Sequence, residues 1–248
     1  MSKPVPLKKI DELSIILNNI KPSEILSEFK YARCNRLLNS AKSTTPEDWW
    51  LMCKSLVEVY ANNLKEANEI AEKNLSISSD ITVLRNTHFV FSKTFNMVKS
   101  VETVEKIVDL SNLIKTDLKL TVPTSIELEF FLTGNINKLD LFKYDDSLHR
   151  IFSHLKLIQD NFEINQNSFL KLCEIVHSLI IESNSQCQST EYSYVDEELL
   201  ITLYIDKEYK MISDLNKMLV RRCHASGLLD ELNIISYLFL PFDETVDE

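Results

Sequence analysis

Cys173 and His177 stand four residues apart in the run NSFLKLCEIVHSLIIE, which carries a clear helical stripe. That spacing puts both side chains on one helix face, where a thiolate and an imidazole can share a metal ion. The same Cys173 also belongs to the apolar stripe, with His177 flanking it, so a packing role is the competing assignment. No second ligand pair stands at a recognisable spacing. His149 and His154 diverge on a helix, and His88 and His224 have no carboxylate or cysteine at ligand spacing beyond Cys223, next to His224. The other groups with a chemical reading are for recognition. Trp49 and Trp50 offer aromatic anchors for a partner, and Asp196, Glu197 and Glu198, with the tail acids Asp243, Glu244, Asp247 and Glu248, offer negative charge to a basic surface. A solvated surface and ordinary core packing are the bland alternatives for both.

Glycine sets the outer limit on chemistry. Loops that cradle phosphates and elbows that present a nucleophilic serine need several small residues close together. This chain has two glycines in 248 residues, Gly134 and Gly227. Walker, dinucleotide-binding, kinase and Gly-x-Ser-x-Gly motifs are absent, and no cofactor is expected. The five cysteines, Cys34, Cys53, Cys173, Cys187 and Cys223, are scattered without a CxxC pair, which argues against a disulfide framework or a zinc knuckle.

Charge is divided unevenly. Residues 191–248 carry 13 Asp and Glu against 5 Lys and Arg, a net of −8 out of a total of −10. Such a field repels nucleic-acid phosphates and anionic lipid and attracts basic partners. No apolar run approaches the roughly 18 residues of a membrane helix, and the opening MSKPVPLKKIDEL lacks the apolar core of a signal peptide. The expectation is a cytoplasmic protein with neither nucleic acid nor membrane as partner.

Periodicity gives the elements that would position these groups. Leu7, Ile10, Leu13, Ile16 or Leu17 and Ile20 form one stripe, and Ile25, Phe29, Ala32 and Leu37 a second after Pro22. A helix over 47–61 carries Trp49, Met52, Cys53, Leu56 and Tyr60, breaks at Asn62 and Asn63, and is followed by another with Leu64, Ala67, Ile70, Ala71 and Leu75. Shifting this hairpin by 34 residues places Leu84 on Trp50, Val90 on Leu56, Phe91 on Val57, Val98 on Leu64, Val101 on Ala67 and Val104 on Ile70. Over residues 46–116 such a period resembles the tetratricopeptide repeat. The resemblance implies hairpins stacked into a superhelix with a groove for a ligand. Cys53 and Lys54 stand where that family usually sets a glycine, and Ser78 stands near its closing proline.

Residues 81–95 and 125–143 carry enough β-branched and aromatic residues to be read as strands, the second turning at Gly134 and Asn135; helix is the reading preferred for both. Helices over 145–162 and 167–182 complete a helical domain spanning 1–183. The stretch 184–190 is expected as a polar linker. Beyond it, LLITLYI at 199–205, a helical stripe from Met211 to Cys223, a stop at Gly227 and NIISYLFL at 233–240 form a β-α-β pattern within an acidic unit, 191–248. Both strands are apolar on nearly every residue, so both sheet faces need cover and one crossover helix is too little.

The predicted architecture is therefore mainly α, packed helical hairpins with a small C-terminal α/β unit. The predicted function is a non-enzymatic interaction protein. It would bind another protein or peptide through its helical surface and assemble, as a homo-oligomer in one version, through the C-terminal unit. An inhibitor or immunity-type protein covering a basic site, and a metal-assisted hydrolase using Cys173 and His177, are the alternatives.

Overall fold

The structure, a computed structural model, describes residues 9–21, 24–116, 126–141, 155–156, 165–195 and 198–242. Six helices come first: α1 (Lys9–Asn18), α2 (Glu28–Ala41), α3 (Glu47–Tyr60), α4 (Leu64–Ile77), α5 (Ile81–Lys93) and α6 (Met97–Ile114). They pack as successive pairs, α1 with α2, α3 with α4 and α5 with α6, and α5 lies against both α3 and α4. The helical reading of 81–95 is thus the observed one, with Asp80 capping α5 by accepting the N–H groups of Thr82 and Val83.

The hairpins turn in a uniform way that explains how the chain manages with so little glycine. Six described residues have positive φ: Asn62, Phe95, Lys115, Asn184, Gly134 and Gly227. Each ends a helix, and the N–H of the next residue reaches back to the carbonyl five positions earlier, as in Asn63 to Glu58, Asn96 to Phe91 and Asn135 to Phe130. This left-handed stop satisfies carbonyls that the helix end would otherwise orphan, and glycine is its usual occupant. Here four of the six positions are filled by other residues. Three stops share a further pattern, a left-handed residue followed by asparagine and a buried apolar residue: Asn62-Asn63-Leu64, Phe95-Asn96-Met97 and Gly134-Asn135-Ile136. The starts of α3 and α5 are 34 residues apart, whereas those of α4 and α6 are 33 apart, because α5 is one residue shorter than α3. Hence Met97, not Val98, takes the place of Leu64, and Val98 is left exposed.

After α6, α7 (Ile126–Leu132) and a 3-10 turn (Ile136–Leu141) occupy the segment that had a competing strand reading, with Gly134 at φ 67 just past the helix end. The helix expected over 145–162 lies outside the described residues except for Leu155 and Lys156, which are helical. α8 (Gln166–Ser183) matches its stripe and packs on α6 and α7.

The C-terminal unit contains β1 (Cys187–Val195), β2 (Glu198–Ile205), α9 (Tyr209–Ala225), α10 (Leu229–Ile234) and β3 (Ile235–Pro241). Strand order is β1-β2-β3, β2 pairing antiparallel with β1 and parallel with β3. The expected β-α-β unit is present, although α10 takes Asn233 and Ile234 from the start of the second strand. One face of the sheet, formed by Leu199, Ile201, Leu203, Ile205, Ile235, Tyr237 and Phe239, is buried. It is covered by the helices: Tyr237 meets the Phe95 ring edge-on at 6.2 Å and lies 3.8 Å from the Cys173 thiol of α8. The opposite face carries Leu200, Tyr204, Leu238 and Leu240, which are half-buried.

Of the expected linker, 187–190 belong to β1, and Ser185, Gln186 and Cys187 are buried. The polar side chains there are used as joints. Asn62 donates to the Asn184 carbonyl at 2.9 Å, Gln186 Nε2 donates to the Val59 carbonyl at 2.8 Å, and the Gln186 N–H donates to Asp206 Oδ1 at 2.7 Å. These bonds tie the α3–α4 turn to the α8–β1 corner and to the end of β2.

A non-glycine residue held left-handed costs about 1 kcal/mol. Lys115 is an exposed instance, so Lys115→Gly should raise unfolding stability by about 0.5–1 kcal/mol in a urea titration. Phe95→Gly relieves the same strain but removes a buried ring, and a net loss of about 2–4 kcal/mol is expected.

Candidate functional site

A cleft of about 440 Å³ lies where the α5–α6 hairpin, α7 and β1 meet. Its walls are apolar, from Phe89, Phe95, Met97, Leu128 and Leu132, and its polar side comes from Lys93, Glu129 and the β1 residues Gln188, Ser189 and Thr190. Lys93 is the last residue of α5, a usual place for a basic side chain at the negative end of a helix dipole. Its surroundings are unusual, because β1 closes over it and leaves it only 5% exposed. The ammonium donates to Gln188 Oε1 and lies 5.7 Å from the centre of the Phe89 ring. Among the described residues no carboxylate comes within ion-pairing distance.

A buried cation without a counter-ion is costly, and the cost appears as a shift of its proton equilibrium. Burial pushes the Lys93 ammonium below the usual lysine range, and the neighbouring Cys187 and Asp206 offset only part of this. Glu129 and Cys187, which also line the cleft, already have partners. Glu129 Oε2 accepts from His88 Nε2 at 2.8 Å and from the Ser100 hydroxyl at 2.9 Å. Burial raises the Cys187 thiol, which lies 3.4 Å from the Thr190 hydroxyl. Burial likewise raises the carboxyl of Asp206, whose Oδ2 is enclosed without a hydrogen-bond partner. Phe95, a bulky residue at φ 52, lines the same space. Strained backbone and a shifted ionisable group therefore coincide, as they do at many binding sites.

The residues singled out from sequence lie elsewhere. Cys173 is buried, donates to the Leu132 carbonyl at 3.1 Å, and has its thiol pushed up to about 12 by burial. His177 Nδ1–H donates to the Thr94 carbonyl at 2.7 Å, and burial lowers its basicity. The pair thus shares a helix but has separate partners, and among the described residues no three His, Cys, Asp or Glu side chains group to hold a metal ion. Trp50 is half-buried, its indole N–H bonded to the Leu38 carbonyl at 2.9 Å and its ring approached by the Lys42 and Lys54 ammonium groups. Trp49 lines a separate shallow cleft with Ile10 and Pro46. Glu198 is exposed at the start of β2, and Asp196 and Glu197 lie outside the described residues. Lys93 itself gave no signal in the sequence, since Gln188, the residue that receives its hydrogen bond, is 95 positions away.

A lysine whose folded pKa lies below its unfolded value leaves the unfolded chain holding more protons between the two. Stability then rises with pH across that window, and the penalty is full below the folded value. Replacing a buried charge with an apolar side chain of similar length is often neutral or stabilising by about 1–4 kcal/mol. Lys93→Met should therefore be at least as stable as the parent at neutral pH, with the difference shrinking as the pH approaches about 10.4; denaturant titrations at pH 7 and pH 10 measure both.

No protein-family model matches this chain, and no curated protein and no solved structure matches it either, so its function has to be argued from the cleft and the elements that form it.

Proposed function

We propose that this is a non-enzymatic binding protein that takes a segment of a partner protein into the cleft between the α5–α6 hairpin, α7 and β1. The observation that carries this reading is the cleft's lining: five apolar side chains facing the polar residues Gln188, Ser189 and Thr190 on an edge strand. Apolar walls with a few convergent polar groups are the usual form of a site that holds a ligand in one orientation. The α5–α6 hairpin forms one wall and α7 another, and the resemblance to tetratricopeptide repeats, whose stacked helices present a groove, supports the same use. Glu129, the acid of the cleft lining, is engaged by His88 and Ser100, which favours recognition over turnover.

Ser92 and Leu128 are half-buried residues of the cleft lining. A peptide library selected on the wild-type chain should give ligands that bind at least tenfold more weakly, a change of about 1.4 kcal/mol, to Ser92→Trp, which fills the cleft, and to Leu128→Arg, which charges its wall. Both variants should melt within a few degrees of the parent. Ligands indifferent to both substitutions would place the binding surface elsewhere and end this reading.

A further inference from the structure

The geometry points to Lys93 as the seat for the terminal carboxylate of a bound polypeptide, with the last, apolar side chain of that polypeptide held between Phe89, Phe95 and Leu128. This rests on the reading of the cleft as a segment-binding site and adds which part of the segment enters it.

Charge complementarity carries the inference. Lys93 is 95% enclosed, yet among the described residues its ammonium has one hydrogen bond, to the neutral Gln188 amide oxygen, and no counter-ion. An ammonium has three donors and no acceptor. A ligand carboxylate at the cleft floor would occupy donors that the protein leaves open and cancel the buried charge. The negative groups nearest the floor do not take this role. Glu129 is turned to His88 and Ser100, Asp206 accepts the Gln186 N–H on Oδ1 and acts on Lys93 only through its field, without an ion pair, and burial raises the Cys187 thiol.

The direction of β1 favours a polypeptide over a small free acid. β1 is an edge strand, paired only with β2 among the described residues, and it runs from Cys187, beside Lys93, away towards Val195. A segment laid antiparallel along Gln188–Glu191 would run the other way and end at Lys93. Main-chain pairing gives such a segment affinity, and the pocket at its end gives specificity. Phe89, Phe95 and Leu128 provide an apolar wall for the last side chain, which favours leucine, valine or phenylalanine there.

The test uses the full chain and two sets of hexapeptides, random at the first five positions and ending in leucine, made as free acids or as carboxamides. Capture is read by mass spectrometry on wild type, Lys93→Met, Lys93→Gln and the filled-cleft variant Ser92→Trp. The expected result is at least tenfold more free acid than amide on wild type, a preference lost in both Lys93 variants while their melting is preserved. Equal capture of acids and amides by wild type overturns the carboxylate seat and leaves the segment-binding reading standing. Capture no greater than on Ser92→Trp overturns both. Octanoate that displaces the captured acids at lower concentration than a leucine-ended peptide overturns the polypeptide assignment in favour of a small free acid.

Discussion

Two parallel strands that are apolar on both faces need more cover than one crossover helix provides, and the sheet meets that demand on one side by lying on α8 and the α5–α6 turn as well as on α9. Leu199, Ile201, Leu203, Ile235 and Phe239 are excluded from water on that side, and Tyr237 reaches through to Phe95 and Cys173. Burial of this kind stabilises by roughly 25 cal/mol per Å² of apolar surface, far more than the few polar bonds around it. The docking also decides where β1 lies. Paired to β2 on the side away from β3, β1 is brought against α5, where it closes over Lys93 and leaves the cleft between them.

The joints that fix this docking come from residues that look expendable. Asn62 and Asn184 both adopt the left-handed conformation and bond to each other's neighbourhood, so two helix ends are stopped and joined by the same pair of side chains. Asparagine tolerates this conformation better than most residues and adds a donor and an acceptor that glycine lacks. The scarcity of glycine thus goes with a chain that builds contacts at its turns. Phe95 is the extreme case: its ring fills the space under the sheet at the cost of backbone strain, and its left-handed stop sets the angle at which α6 leaves α5.

Much of the scaffold was legible because it depends on local pattern. The stripe of Phe169, Leu172, Cys173, Val176 and Ile180 gives α8, and the runs at 199–205 and 233–240 give the two parallel strands to within two residues. The stretch around Ser185 and Gln186 reads as a linker because its residues are polar, and polarity in a sequence does not separate solvent from buried partners. Its polar groups are buried instead against partners such as Val59, 127 positions away. The tryptophans and the Cys173–His177 pair stood out by type, but the structure uses Trp50, Cys173 and His177 in packing and backbone bonds. Lys93 could not be found from sequence, because a lysine at a helix end is ordinary until a distant strand covers it.

The site therefore turns on whether Lys93 is a buried amine lacking a counter-ion until a ligand arrives. The direct measurement is a titration of the Lys93 Nζ resonance by heteronuclear NMR, on the free chain and on the chain saturated with a leucine-ended peptide acid. In the free chain the pKa should lie below the ordinary lysine value of about 10.4, and on binding it should rise. A free-chain value at or above the ordinary one, unmoved by the peptide acid, would contradict both the enclosure of the amine and its role as the seat of a carboxylate.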